Sequence, residues 1–153
     1  MSDFYSDLEV GKRGEKMVAA ALAARGHKVK DLSNDLEARR KDIDLLLLNK
    51  QQQTTTLEIK NDLASEHTGN VFIETYNEYN KSHSFKGWLF YCEAVYICFV
   101  QEVSRKAHIV LLDDLKQELK RNSYRIAHTK ETQGYLLPVA ALATLPSYFL
   151  LAV

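Results

Sequence analysis

Two apolar, β-prone runs, residues 43–48 and 54–60, constrain this chain more than any other feature, because only a short polar link, Asn49-Lys50-Gln51-Gln52-Gln53, joins them. A connection of that length predicts an antiparallel hairpin. With its midpoint at Gln51, the hairpin sets Asp44 opposite Glu58. Side chains directly across an antiparallel pair lie about 4.5–5.5 Å apart, and like charges there are destabilising. Lys60 follows Glu58 by two residues, so strand alternation aims both at one face, while Leu57 and Ile59 point to the other. Two carboxylates and an ammonium are therefore expected to converge at one end of a buried hairpin.

A divalent cation would make sense of that cluster. Mg²⁺ takes oxygen ligands and is held by one or two carboxylates with several waters. Asp44, Glu58 and the main-chain carbonyl of Ile59 form a candidate donor set for Mg²⁺, with Mn²⁺ as a substitute, and Lys60 would orient an attacking water. Each residue also has an ordinary explanation. Asp44 can open a strand, Glu58 and Lys60 can pair on a solvated face, and Glu15 can pair with Lys12 or Lys16. The run 45–48 argues for a central strand instead, where exposed charges are unusual.

Ser6-Asp7-Leu8-Glu9 has capping-box spacing and predicts a helix from Ser6 to about Arg25, ended by Gly26. Its inward stripe reads Val18, Ala21 and Leu22, with Gly11 and Gly14 allowing close approach, and Glu15 shares that stripe. A short strand at 28–32 and a charged loop at 35–41 follow. Strands are expected at 71–75, 94–100 and 108–112, then a helix capped by Asp113 with Leu115 and Leu119 on its apolar side, and extended pieces at 124–126 and 135–139. One helix followed by strands implies an α+β (α/β) domain with a mixed sheet.

A length of 153 residues suits one domain, read as 1–153 with an apolar C-terminal extension at 136–153. That extension carries no charge, but Pro138 and Pro146 interrupt it and it falls short of the ~20 residues of a spanning helix. It is read as a core or subunit-interface segment, and Leu145, Tyr148, Phe149, Leu150 and Leu151 as an apolar patch for a homodimer or larger assembly. The acidic, polar beginning (Asp3, Ser6, Asp7, Glu9) predicts no secretory leader, no membrane association and a cytoplasmic location. Cys92 and Cys98 are expected to be reduced and buried. Twenty basic and twenty acidic residues balance, so bulk charge does not announce a polyanion partner.

In the order helical acid, Asp-strand, Glu-x-Lys strand, the chain resembles the PD-(D/E)XK nuclease superfamily. Gly14-Glu15, Asp42-Ile43-Asp44-Leu45-Leu46-Leu47 and Leu57-Glu58-Ile59-Lys60 carry the resemblance. Lys60-Asn61-Asp62, Thr68 to Glu74 and Gly134 to Pro138 are similar to small phage and mobile-element members. No proline precedes Asp44, and Asp42 competes for its place. The resemblance implies a restriction-endonuclease-like core, Mg²⁺ dependence and hydrolysis of double-stranded DNA, with Asp44, Glu58, Lys60 and Glu15 catalytic. Asp42 and Glu74 are further candidates; Glu74 would either face the metal cleft or pair with Lys60 or Lys81. Arg39, Arg40 and Lys41, just ahead of the Asp-strand, are placed to hold DNA phosphates. The mixed aromatic and amide stretch 76–83 can meet bases or sugars, and Lys120, Arg121 and Arg125 form another basic patch. His67 and His83 lack zinc-ligand spacing. Site-specific cutting, junction resolution and catalysis-free DNA binding on a nuclease fold all remain open readings.

Overall fold

Alternation between period-3.6 and period-2 apolar patterns divides the chain into short elements, which a computed structural model describes over residues 4–153. Asp3, part of the expected acidic beginning, lies outside the described residues. Helix α1 (Phe4–Ala24) buries Val18 and Leu22. Ser6 lies inside it, so the expected cap at Ser6 is corrected. Gly26 ends the helix in a left-handed conformation (φ 93°), with the His27 N–H reaching back to the Leu22 carbonyl at 3.2 Å. Gly14 allows the approach expected of it, since a Cβ there would lie 2.8 Å from that of Asn61. Gly11 faces open space and does not.

Strand β1 (Lys28–Asp31) leads to α2 (Leu36–Arg40), where a loop was expected. Asp35 caps α2, its Oδ1 accepting the Ala38 N–H at 2.9 Å. Next come β2 (Leu45–Leu48), β3 (Thr54–Asn61), α3 (Ser65–Thr68), β4 (Asn70–Asn77), a 3₁₀ turn (Lys81–His83) and α4 (Trp88–Tyr91). Strands β5 (Tyr96–Gln101) and β6 (Lys106–Leu111) precede α5 (Leu112–Arg121). Asp113 sits in the first turn of α5 and does not cap it. The chain closes with β7 (Arg125–His128), β8 (Thr132–Pro138), α6 (Val139–Leu142) and β9 (Phe149–Ala152).

Six strands form a sheet in the order β1-β2-β3-β5-β6-β9, mixed because β3 and β5 run parallel while the other pairs are antiparallel. Helix α1 covers one face, with Val18 and Leu22 packed among Leu45, Leu57, Ile59 and Val100. The other face, through Ile97, Phe99 and Val110, meets α4, α5, α6 and a second antiparallel sheet, β4-β8-β7, that the sequence pattern did not announce. The fold is thus a mixed central sheet flanked by helices. Two glycines set the spacing of this second layer. A Cβ on Gly87 would lie 2.2 Å from the Glu74 carbonyl oxygen, and one on Gly134 would lie 2.4 Å from that of Ile73.

The apolar C-terminal stretch is woven into both sheets through β8 and β9. Leu145 and Leu151 are buried, and Tyr148 packs against the core with its hydroxyl 2.8 Å from His108 Nδ1. Only Phe149 and Leu150 remain exposed, so the expected five-residue patch shrinks to two. Cys92 and Cys98 are buried in separate clusters. Among the described residues no helix is long and apolar enough to cross a membrane.

Candidate active site

The β2–β3 register is centred on Gln51, as expected, with Leu45 opposite Leu57 and Leu48 opposite Thr54. Asp44 prolongs the pairing past the end of β2. Its N–H donates to the Leu57 carbonyl at 2.9 Å, and its Oδ2 accepts the Ile59 N–H at 2.8 Å. A carboxylate thus occupies the position of a ladder carbonyl, wedged between the diverging strands. The N–H and C=O of one residue in a strand lie along the same edge. The Ile59 carbonyl therefore faces the Asp44 side.

Glu58 and Lys60 share the face turned away from Leu57 and Ile59, beside Ile97 and Phe99 of β5. Glu58 is only 4% exposed, and Lys60 Nζ lies 2.6 Å from its Oε1 and 3.1 Å from Asp42 Oδ2. The Trp88 ring closes over the ammonium at 5.3 Å. Asp42 takes a left-handed conformation (φ 55°), which aspartate tolerates better than most residues. That turn lets Asp42 reach Lys60 while Asp44 reaches Ile59.

One ammonium pairs with two carboxyl groups, those of Glu58 and Asp42, with Asp44 nearby. Burial pushes the Glu58 carboxyl well above its ordinary range; Lys60 opposes that shift, and Asp42 and Asp44 add to it. Burial also raises Asp44, against the hydrogen bond from the Ile59 N–H and the nearby Lys60 charge. For Lys60, burial acts to discharge the ammonium, but Glu58 and Asp42 overcome it and hold the proton more tightly than usual. Glu58 Oε2 is buried with no hydrogen-bond partner. A buried polar atom of this kind carries a cost unless something fills the gap. With Glu58 buried and Asp44 half-buried beside it, two negative charges are costly together, and a proton or a cation relieves that cost.

Asp44, Glu58 and the Ile59 carbonyl fit a small, hard divalent ion by donor chemistry and by the orphaned Oε2. Among the described residues no three histidine, cysteine or acidic side chains form a ready-made cage. The candidate donors are two carboxylates and one carbonyl, and Mg²⁺ asks for only one or two carboxylates.

Glu15 approaches from the α1 side and shares a hollow of about 360 Å³ with Asp42, Asp44 and Arg39. It bonds to none of the cluster directly. Burial, then Asp44 and Asp31, push its carboxyl up to about 7. Glu74 lines a larger groove of about 930 Å³ with Lys60, Asp62, Trp88 and Tyr91. It accepts a hydrogen bond from Asn77 at 3.3 Å and pairs with neither Lys60 nor Lys81. Arg39 and Arg40 line a third hollow, whereas Lys41 turns away to pair with Glu37 at 3.1 Å. Lys120, Arg121 and Arg125 lie on α5 and β7 and line none of the three.

Trp88, Tyr91 and Asp62 border the candidate groove and were not singled out as site residues from the sequence. Trp88 and Tyr91 come from a four-residue helix with no periodicity to read, and Gly87 before it is the one local signal. Asp62 adjoins the Glu-x-Lys strand, and its carboxylate accepts the Ser65 and Phe72 N–H groups, tying β3 to β4.

No family model matches the sequence, and no curated protein matches it. In structure the chain is similar to the bacterial homing endonuclease I-Ssp6803I, with a TM-score of 0.50 at 16% identity over 71% of this chain and 70% of that one. A nuclease from a fusselovirus aligns over 92% of this chain and 87% of its own, with a TM-score of 0.45 and 11% identity. The likeness to the homing endonuclease is one of fold, and the fold is one that a nuclease uses.

Proposed function

We propose that this protein is a divalent-metal-dependent DNA endonuclease of the PD-(D/E)XK type. The observation that carries the reading is the Asp44–Glu58–Lys60 cluster around the buried Glu58, whose Oε2 is left unpartnered at the end of a split hairpin. The fold shared with a homing endonuclease supports it.

In this reading Asp44, Glu58 and the Ile59 carbonyl hold Mg²⁺, or Mn²⁺ in its place. The ion supplies Lewis acidity and a lowered pKa for a bound water. Lys60 stays protonated through the working pH range, because two carboxylates face it. It therefore acts as a fixed positive charge that orients the attacking water and stabilises the charge developing on the phosphoryl oxygens. It is no general base. Asp42 positions that ammonium. Glu15, poised near neutrality, is the residue able to exchange a proton with solvent water on the α1 side. Glu74 borders the groove in which a phosphodiester would lie. Arg39 and Arg40 hold phosphates beside the cluster, and Lys41, paired with Glu37, takes no part in that contact.

Cutting both strands of a duplex calls for two symmetric sites, so the reading includes a homodimer. The exposed Phe149 and Leu150 on edge strand β9 are assigned to that contact. A monomer on DNA in sedimentation would remove this part. Junction resolution is the second reading, and the neutral net charge favours a shape-selective substrate over tight general binding.

The test is incubation of purified protein with supercoiled plasmid and a four-way junction in Mg²⁺ or EDTA, beside Asp44→Asn. Cutting in Mg²⁺ alone, lost in the variant, is the expected result. Cutting in EDTA, or by the variant at wild-type rate, would overturn the mechanism.

A further inference from the structure

The hollow beyond Tyr91 has a composition that the catalytic cluster does not require. It measures about 460 Å³ and is lined by Arg39, Arg40, Asn80, Ser82, His83 and Tyr91. Two of these residues join it to the site. Tyr91 also lines the large groove with Lys60, and Arg39 also lines the hollow with Asp42 and Asp44. The His83 and Tyr91 rings stack with centroids 4.0 Å apart and planes 5° apart. Both rings are half-buried, and both border the hollow. Among the described residues neither the Arg39 nor the Arg40 guanidinium has an ion-pair partner, although acidic residues lie close by in sequence.

The loop that holds His83 is built at a conformational cost. Ser84 and Phe85 are both left-handed (φ 54° and 63°), an uncommon arrangement for two consecutive residues other than glycine. Asn80 fixes the loop by accepting the Phe85 N–H on its carbonyl and donating its side-chain N–H to the Lys86 carbonyl, each at 2.8 Å. Phe85 in turn accepts the Asn77 N–H at 2.9 Å. The aromatic pair is thus held in place, as a surface meant to receive something flat would be.

We propose that this hollow is a subsite for a single unstacked nucleotide next to the scissile phosphate. The base lies on the outer face of the His83–Tyr91 pair, the phosphate sits on Arg39 and Arg40, and Asn80 and Ser82 meet the sugar or base edge. Aromatic stacking is tolerant of base identity but demands a base freed from its own duplex. The substrate class is therefore DNA carrying an unpaired or extrahelical nucleotide, and perfect duplex is the poorer ligand. This inference rests on the nuclease reading and narrows it from sequence-specific to structure-selective cutting.

The experiment measures equilibrium binding in EDTA, where no cutting occurs, to a matched duplex and to the same duplex with a one-nucleotide bulge. Stacking of one base contributes about 1–3 kcal/mol, so the wild type is expected to prefer the bulge roughly 5- to 150-fold. His83→Ala should erase that preference. His83→Phe, which keeps the ring, should retain it. Arg39→Ala and Arg40→Ala should weaken both ligands alike and each reduce the salt slope by about one. Equal binding of the two ligands by the wild type, no binding of either, or a preference surviving His83→Ala overturns the proposal. His83→Phe losing the preference together with His83→Ala also overturns it. The nuclease reading fails separately: bulge preference intact, with no cleavage on adding Mg²⁺, would sink the catalysis and leave the subsite standing.

Discussion

Replacing Lys60 by methionine keeps an unbranched side chain one atom shorter and removes its charge, which exposes the electrostatic logic of the cluster. The ammonium lies 2.6 Å from Glu58 and 3.1 Å from Asp42, and Asp44 acts on the same buried Glu58 carboxyl. Without Lys60, Glu58 is an uncompensated charge at 4% exposure. Breaking a buried pair by deleting one partner costs about 3–5 kcal/mol. At roughly 2–4 °C per kcal/mol for a chain of this size, Lys60→Met should lower Tm by about 6–20 °C at pH 7.5 in EDTA. The deficit should also depend on pH. Glu58 already titrates above its ordinary range, and Lys60 is the main influence holding it down, so the variant raises it further. A carboxyl whose folded pKa is raised makes the fold more stable as pH falls toward its unfolded value, near ~4.3. The gap between variant and wild type should close over that descent, and Mg²⁺ at pH 7.5 should close part of it by supplying the missing charge. Thermal melts at pH 7.5 and 5, with EDTA or Mg²⁺, measure all of this. A variant melting within about 2 °C of wild type at pH 7.5, less than one kcal/mol on that scale, would refute the reasoning. So would a deficit of equal size at both pH values.

Three other outcomes follow from the same geometry. Mg²⁺ should raise the Tm of the wild type, by roughly 5–11 °C at a hundredfold excess over Kd, where linkage supplies about 2.7 kcal/mol. Glu58→Gln should abolish that rise, and an undiminished rise in the variant would move the ion elsewhere. Glu15→Gln should stabilise the metal-free protein above pH 7, because burial and Asp44 make the ionised carboxylate costly there. That gain should fade as pH falls from about 7 toward the ordinary 4.5, and differential scanning fluorimetry across the window would detect a flat difference instead. Gly11→Ala should raise stability by up to about 1 kcal/mol through helix propensity, since nothing lies within 4 Å of its Cβ. Gly14→Ala should lower stability despite the same propensity gain, because its Cβ would press on Asn61 at 2.8 Å; urea denaturation giving both the same sign would contradict the packing.

The hairpin was legible because three local constraints agree: a short polar link, an alternating pattern and an apolar run beside Asp44. Together they fix a register in which a slip of one residue would turn Glu58 into the α1 core. The parallel pairing of β3 with β5 was not legible. It depends on a long excursion from Asp62 to Val95 that carries β4 into a separate sheet, and no local pattern announces a parallel partner. Helix α2 had a readable signal in Asp35, but the charge density of residues 35–41 concealed a stretch of five helical residues. Strand β9 was hidden the other way, by a composition too uniformly apolar to show alternation.

The position of Glu58 explains why so much core surrounds so small a site. On one face of β3, Leu57 and Ile59 join the α1 cluster; on the other, Ile97 and Phe99 flank the acidic side chain itself. Metal-free, that carboxyl opposes folding, and Asp44 and Glu15 oppose it in the same direction. The apolar clusters must offset this cost, as they would in a site where stability is given up for chemistry. A cluster that only braced the sheet would be improved by apolar replacements of similar volume. Retaining three acids around one lysine is understandable if an ion and a phosphate arrive to complete it.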